Sequence, residues 1–370
     1  MDFDELLKSK KVLICCGSGG VGKTTLSAAL GVRGAELGLK VMVLTIDPAR
    51  RLATSLGLKN LNEEVQVAPG QFKGELYGSQ LDVKKIFDDF IIKLAPNPEV
   101  SERVLKNTIY KQLSTALNGS QEYTALEKLL QVVSSGKYDL VILDTPPTKH
   151  AIDFLNAPVK IHTLFQDSII KWFLMPFTTL DKMSLGLMNR GTKAAFKVFE
   201  NIAGTEFLLN LTEFFASIRD WQKLLRDRTA EVHRLLTSGT TGFVLVTGFN
   251  AVKIEEARFF ERSLKKGGYL LSAIVVNRAF PLWGRHEIVH DDAKKEMINT
   301  PQYLKLREYY EKLHEFYLSQ QEAFKNFAGE HRQNVIFSRL PDIDQDVHDI
   351  ESLKTLAKRF DNAHLEEAWR

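Results

Sequence analysis

Short apolar segments recur along the chain, and the stretches between them carry apolar residues at helical spacing. Most of these segments are rich in β-branched residues, and several end near Gly, Asp or Asn. They cover residues 11–17, 40–47, 75–82, 138–144, 242–248, 270–277 and 334–338. Strands that show little polar alternation and are separated by helices are typical of a parallel sheet covered on both faces. The pattern predicts an α/β fold with a doubly wound, mainly parallel sheet.

The alternation of strands and helices stops between about residues 148 and 238. No segment there resembles a strand, and apolar residues recur three or four positions apart, as on one side of a long helix. The clearest series is Phe207, Leu211, Phe214, Ile218, Trp221 and Leu225. We expect residues 148–238 to form an all-helical insertion, which divides the sheet domain into a first part (1–147) and a second part (239–370).

A glycine-rich segment, 17–24, follows the first strand and fits the pattern GxxxxGK[ST] of a phosphate-binding loop. Glycines let backbone N–H groups wrap around phosphates, the following helix directs its positive end at them, and Lys23 can reach the β- and γ-phosphate oxygens. The hydroxyl of Thr24 can bind Mg²⁺. An ordinary glycine turn is the alternative, but the strand before and the helix after favour ATP binding. The predicted nucleotide-binding residues here are Gly19, Gly20, Val21, Gly22, Lys23, Thr24 and Thr25.

Two acidic residues end predicted strands and are candidates for work beside the phosphates. Asp144 could hold a water on Mg²⁺, a metal that prefers oxygen ligands, although a helix N-cap is the alternative. Asp47 could orient the attacking water and lie near the metal, while a turn or capping role is the alternative for this residue before Pro48. The sequence thus assigns catalysis to Asp47 and Lys23, and the metal to Thr24, Asp47 and Asp144.

Two further polar residues follow or end predicted strands. His150 could face the nucleotide, but a local hydrogen-bonding role is favoured for it. Asn277 could pair its side-chain amide with an adenine edge, although an Asn at the end of a strand is more often a turn former.

Composition narrows the class of protein. Lys and Arg number 49 against 46 Asp and Glu, so the formal charge of +3 does not favour nucleic acid as a partner. The acidic start lacks the basic and apolar regions of a secretory signal, and no run of about 18 apolar residues is present, so we expect a cytoplasmic protein that does not span a membrane. Cys15 and Cys16, the only cysteines, are adjacent and cannot form a CxxC metal site.

Taken together, these motifs resemble the arsenite-pump ATPase family, which includes the targeting ATPases of guided entry of tail-anchored proteins. Residues 17–25 are similar to the phosphate loop of the family, 45–49 to its first switch, 144–150 to its second switch and 275–277 to its adenine-recognition strand. Residues 76–82 and 339–341 also have counterparts. The resemblance covers most of the chain and is weakest in the helical insertion.

The resemblance implies two chains that close around two ATP molecules. It implies that Asp47 activates water, that Asp144 lies near Mg²⁺, and that Asn277 and Pro341 contact adenine. Members of the family either drive metalloid pumps, binding arsenite through cysteines, or shield an apolar client helix in a helical groove.

Two departures from the family pattern bear on function. Ser18 stands where the phosphate loop of the family carries a signature lysine, so a cross-dimer charge is missing; Arg50 and Arg51 are possible substitutes. This departure suggests either a homodimer or a heterodimer with a lysine-bearing paralogue. Cysteines are also absent from the insertion and from the region after Asn277, so As(III) would lack its thiolates and a zinc clasp between subunits would lack its CxxC.

The insertion is rich in Phe, Trp and Met, residues that either form its own core or line a groove for an apolar client. They are Phe165, Trp172, Phe173, Met175, Phe177, Met183, Met188, Phe196, Phe199, Phe207, Phe214 and Phe215. The leading prediction is a Mg²⁺-dependent ATPase that couples dimer closure to binding and release of a hydrophobic client or a membrane protein. The alternative is a motor subunit that energises an anion or metalloid transporter.

Overall fold

The structure, a computed structural model, divides into two compact units. The first consists of Met1–Gln80, Val132–Ile152 and Thr237–Arg370, and the second of Leu81–Gln131 and Asp153–Leu236. The second unit thus includes residues 81–131, which the sequence pattern does not assign to it, and the boundaries at 148 and 238 stay a prediction. The residues that the structure describes are 2–46, 51–58, 61, 64–111, 120–146, 155–157, 163, 204–218, 222–279, 300–331, 335–341 and 347–360.

The described part of the first unit is built on a sheet of eight strands. They are β1 (Val12–Gly17), β2 (Lys40–Thr45), β3 (Val65–Val67), β4 (Glu75–Gln80), β5 (Leu140–Asp144), β6 (Thr241–Gly248), β7 (Leu271–Ala279) and β8 (Ile336–Pro341). Their order is β3-β4-β2-β5-β1-β6-β7-β8, and every neighbouring pair except β3 with β4 is parallel. The predicted α/β fold with a mainly parallel sheet is confirmed.

The main differences from the sequence prediction concern the two outermost strands, and the ends of the other strands differ from the predicted ones by at most two residues. β3 was not predicted, because three residues are too few to show a period, and it pairs antiparallel with β4. β8 begins at Ile336 and continues to Pro341, beyond the predicted end at residue 338. Proline is tolerated there because it ends the strand.

Helices pack around the sheet or form the second unit. They are α1 (Phe3–Ser9), α2 (Lys23–Glu36), α3 (Arg51–Ser55), α4 (Val83–Leu94), α5 (Pro98–Lys106), α6 (Ser120–Ser134), α7 (Thr205–Ile218), α8 (Gln222–Thr237), α9 (Ala251–Lys266), α10 (Pro301–Glu330) and α11 (Ile350–Lys358). Polar side chains cap several of them: Asp2 and Glu5 form a capping box on α1, and Asp82 caps α4. In the described part of the chain, no helix is both long and apolar enough to cross a membrane.

Close packing of α2 against the sheet holds the first unit together. Gly31 and Gly34 face β2 so closely that an added methyl group would lie 2.6 Å from Val43 and 2.9 Å from Val41. Small residues therefore bring the helix axis close to β2. The core formed there also includes Cys15, and Cys16 is buried as well.

The described part of the second unit is helical, in agreement with the predicted character of the insertion. Arg228 on α8 donates to Glu127 on α6 at 2.9 Å, and Glu127 is 2% exposed. Asn107, next to α5, donates to the carbonyl oxygen of Asn210 on α7. Phe214 is buried, whereas the predicted groove residues between 164 and 200 lie outside the described residues.

At its carboxyl end, α10 is fixed to α9 by a histidine. His331 is 6% exposed; one ring nitrogen lies 2.7 Å from the carbonyl oxygen of Phe327, and the other lies 2.9 Å from a carboxylate oxygen of Glu261. The hydrogen bond to Glu261 raises the pKa of His331, and the same bond lowers the pKa of Glu261. The contribution of His331 to stability is complete below its ordinary pKa of 6.5 and is lost as the pH rises through its raised pKa. The contribution of Glu261 is complete above its ordinary pKa of 4.5 and is lost as the pH falls through its lowered pKa.

We therefore expect Glu261→Gln to lower the free energy of unfolding more at about pH 5.5 than at about pH 9, because the charged pair exists only where His331 is protonated. Denaturant titrations at both pH values measure this difference. Glu311→Gln on α10 is the control: Glu311 pairs with Arg307, and an arginine stays charged throughout this range. An equal loss at the two pH values for Glu261→Gln would contradict the prediction.

Candidate functional site

The loop after β1 can take its path only with glycine at defined positions. Gly17, Gly20 and Gly22 all have positive φ angles, of 142°, 77° and 87°. A Cβ atom on Gly17 would lie 1.9 Å from the carbonyl oxygen of Val246 on β6, and one on Gly22 would lie 2.5 Å from the side-chain amide of Asn277. The predicted loop therefore needs glycine for both backbone conformation and space.

Lys23 begins α2 and folds back over this loop. Its Nζ donates to the carbonyl oxygen of Ser18 at 2.8 Å, and the residue is 7% exposed. Burial lowers its pKa, the positive charge of Arg51 lowers it further, and the negative charge of Asp144 opposes both. Gly22 at the N-cap has no side chain to cap α2, so the first N–H groups of the helix stay available to an anion.

Asp144, at the carboxyl end of β5, joins this strand to the start of α2 and to the end of β2. Its Oδ2 accepts a hydrogen bond of 2.7 Å from the hydroxyl of Thr24 on α2 and one of 3.0 Å from the hydroxyl of Thr45 on β2. Thr24 and Asp144 were both predicted as metal ligands, and the fold brings them into contact. A hydroxyl and a carboxylate are hard oxygen donors, so the set fits Mg²⁺.

The predicted adenine residues lie on the other side of β1. The side-chain amide of Asn277, in β7, donates to the carbonyl oxygen of Val21 at 2.8 Å, which ties this strand to the phosphate loop. Pro341 ends β8 and lies in register with Ala279. Both residues are therefore at the same sheet edge as the loop, and their contact with adenine stays a prediction.

A cavity of about 510 Å³ opens in front of the loop. Of the predicted residues, Gly20, Gly22, Lys23, Thr24 and Thr25 line it. Thr145 and Pro146, from the segment that resembles the second switch, also line it. The lining residues Thr54, Ser55 and Arg278 were not predicted from the sequence, and Arg51 was named only as a substitute charge. Thr45 was also missed as a partner of Asp144, although its place beside Asp47 at the end of a strand was a usable signal.

Several predicted residues lie outside the described residues. They are Asp47 of the first switch, Arg50 next to that switch, and His150 of the second switch. Gly19 is described and exposed. Ser18, at the position of the signature lysine, is buried, with 2% of its surface exposed.

Residues 10–359 match the model of a protein family described as anion-transporting ATPases. The chain belongs to this family. The resemblance drawn from the sequence motifs is thereby confirmed, together with the prediction that the chain is a member of a family of ATPases. The match begins just before β1 and ends after α11, so it includes all eight strands of the described sheet and the whole of the second unit.

Individual members of the anion-transporting ATPase family are distantly similar to the chain. A putative arsenical pump-driving ATPase 1 of Aquifex aeolicus is 24% identical over 73% of the chain and 64% of its own length. An ATPase ASNA1 homolog of Babesia bovis is 27% identical over 84% of the chain and 79% of its own length. The ATPase GET3 of Malassezia globosa is 28% identical over 58% of the chain and 62% of its own length. For the first and third of these relatives, the chain covers less than two thirds of the relative.

We expect Gly17→Ala to destabilise the protein by more than about 3 kcal/mol, because the added methyl group collides with backbone of β6 that cannot move aside. Gly20→Ala is the matched control: its φ is also positive but no atom lies within 4 Å of the added methyl group, so it should cost only about 1–2 kcal/mol. Denaturant unfolding of both variants measures the two losses. If Gly17→Ala yields no folded protein while Gly20→Ala folds, the prediction that Gly17→Ala is the more destabilising change is confirmed. Equal losses in the free energy of unfolding would contradict it.

Proposed function

We propose that this protein is a Mg²⁺-dependent ATPase in which nucleotide-driven closure of two chains controls the binding and release of a hydrophobic client. The observation that carries the catalytic part is the contact of Thr24 with Asp144 beside a glycine loop that Lys23 covers. A phosphate cradle, a metal-ligand pair and a lysine at one sheet edge are what phosphoryl transfer to water requires.

Each described residue of the site has a distinct task in this proposal. The N–H groups of the loop and the first turn of α2 bind the β- and γ-phosphates, and Lys23 exchanges the carbonyl oxygen of Ser18 for phosphate oxygen. Thr24 and Asp144 would hold Mg²⁺, directly or through water. Mg²⁺, when bound, neutralises charge that builds up on the phosphates.

Asp47 would orient the attacking water and accept its proton. This task is inferred from its place after β2 and from the family resemblance. Thr45, which ends the same strand, donates to Asp144, so the strand leads directly to the metal-ligand pair. Asn277 and Pro341 would contact the adenine from β7 and β8.

The client part of the proposal concerns the second unit. Its described part consists of helices, and α7 buries Phe214 while α8 leaves Leu224 about half exposed. A helical unit rich in Phe and Met suits an apolar client of variable sequence, because such side chains adapt to different partners. A membrane protein or a membrane-destined chain is the client that this chemistry favours, and a cytoplasmic site of action is part of the proposal.

A metalloid-pump motor is the second candidate, since one relative is named a putative arsenical pump-driving ATPase. Thiolates are the ligands that As(III) prefers. Burial raises the pKa of Cys15 to about 12 and that of Cys16 well above its ordinary value, so neither thiol of the chain readily becomes a thiolate. The state of these two cysteines supports the hydrophobic client over a metalloid.

We expect Lys23→Ala to weaken ATP binding at least tenfold, because it removes a cation from the phosphates. Asp47→Asn should bind ATP normally and hydrolyse it about a hundredfold or more slowly, because only the water-orienting carboxylate is lost. Calorimetric titration and steady-state hydrolysis with and without Mg²⁺ measure both effects. Lys266→Ala, which removes an exposed lysine at the end of α9, is the control. Unchanged turnover of Asp47→Asn would remove this residue from the mechanism.

We also expect that arsenite and antimonite leave ATP hydrolysis unchanged, because the only two thiols of the chain are buried. Hydrolysis is measured over a range of antimonite concentrations, and maleimide labelling of the folded and the unfolded protein checks that both thiols are inaccessible before unfolding. Saturable activation by antimonite, in the wild type or in the double variant Cys15→Ala/Cys16→Ala, would favour the pump motor instead.

A further inference from the structure

Arg278 occupies an irregular position at the end of β7. Val276 lies in register with Arg339 of β8, and Ala279 with Pro341, so two residues of β7 oppose one residue of β8. Arg278 is in this bulge and has a φ of 51°. Bulges with one residue in the left-handed region change the direction in which side chains leave a strand.

The bulge brings two neighbouring side chains to the same phosphate loop. In a regular strand, adjacent residues point to opposite faces. Here the amide of Asn277 donates to Val21 of the loop, while Arg278 lines the cavity in front of the loop together with Gly20 and Gly22. The irregular backbone therefore adds a cation to the cavity.

The conformation of Arg278 is unfavourable for a residue with a side chain. Among the described residues other than glycine, only Ala68 also has a positive φ. Glycine would adopt this conformation without steric cost, and strained backbone of this kind is concentrated at ligand-binding sites. A role for the guanidinium would account for an arginine where the backbone favours glycine.

The cavity is lined by positive charge. Its charged lining residues are Lys23, Arg51 and Arg278, and none of the described residues that line it is acidic; the nearby carboxylate of Asp144 is held by Thr24 and Thr45. Lys23 is held on the carbonyl oxygen of Ser18. Arg278 is exposed, and within the described part of the chain its guanidinium makes no hydrogen bond or ion pair. As far as the described residues are concerned, it can therefore bind an anion without first leaving another partner.

We propose that the guanidinium of Arg278 binds the phosphates of the nucleotide and supplies, within the same chain, part of the positive charge that Ser18 does not provide. The proposal rests on the proposed function, since it assumes that the cavity receives ATP. A guanidinium offers two parallel donors to phosphate oxygens, so it is better suited to this task than a single ammonium group. The main alternative is that Arg278 stacks on the adenine ring.

The decisive variant is Arg278→Gly, which removes the guanidinium and suits the backbone. We expect its affinity for ATP and for tripolyphosphate to fall about tenfold, its affinity for adenosine to stay unchanged, and its melting temperature to stay equal or rise. The affinity of Arg278→Lys for ATP and for tripolyphosphate should lie between those of the wild type and Arg278→Gly. Calorimetry and competition with a fluorescent ATP analogue measure binding, and Arg262→Ala, an exposed arginine on α9, is the control.

Unchanged binding of ATP and tripolyphosphate by Arg278→Gly, or an equal loss for ATP and adenosine, would overturn the proposal, the second in favour of stacking on adenine. If the wild type and Lys23→Ala both fail to bind ATP, the proposed function itself fails. A loss of ATP binding that comes with a lower melting temperature in Arg278→Gly would show a structural role and would also count against the proposal.

Discussion

The carboxylate of Asp144 is the point on which the candidate site depends. It is 1% exposed, and a charge taken out of water must be compensated by hydrogen-bond donors. Two of its donors are hydroxyls from different parts of the chain, Thr24 on α2 and Thr45 on β2. Loss of either would leave a buried acceptor short of a partner, which typically costs about 1–3 kcal/mol. Because these hydrogen bonds compensate the one buried carboxylate, they fix the distance between the start of α2, which follows the glycine loop, and strands β2 and β5.

A second constraint is the space available around the phosphate loop. Gly17 lies against the backbone of β6, and Gly22 lies against the side chain of Asn277. The loop is therefore held on one side by β6 and β7 and on the other by Asp144 of β5. Since the order of strands places β1 between β5 and β6, the loop occupies the crevice where open α/β sheets bind their ligands.

The sequence predicts those parts of the molecule in which local pattern and burial agree. β1, β5 and β6 are buried along almost their whole length, so they give unbroken apolar runs, and the glycine loop gives a motif with a fixed spacing. β3 cannot be predicted from the sequence, because its three residues are too few to show a periodic pattern. The bond between Thr45 and Asp144 and the bulge at Arg278 depend on how distant strands align, and no local pattern specifies such a register. The end of β8 was misplaced for a related reason, since its pairing with β7 carries it to Pro341.

The position of β1 also has a kinetic consequence. All six of its residues are buried and it is paired on both sides, so its amide protons should exchange with solvent only through global unfolding. β8 lies at the outer edge of the sheet and only three of its six residues are buried, so smaller opening motions expose its amides. A ligand in the cavity would contact the loop after β1 and Arg278 at the end of β7, the strand that pairs with β8. Binding of such a ligand should hardly slow amide exchange in β1, because exchange there already requires unfolding of the whole protein. The added protection from exchange should therefore appear in β7 and β8.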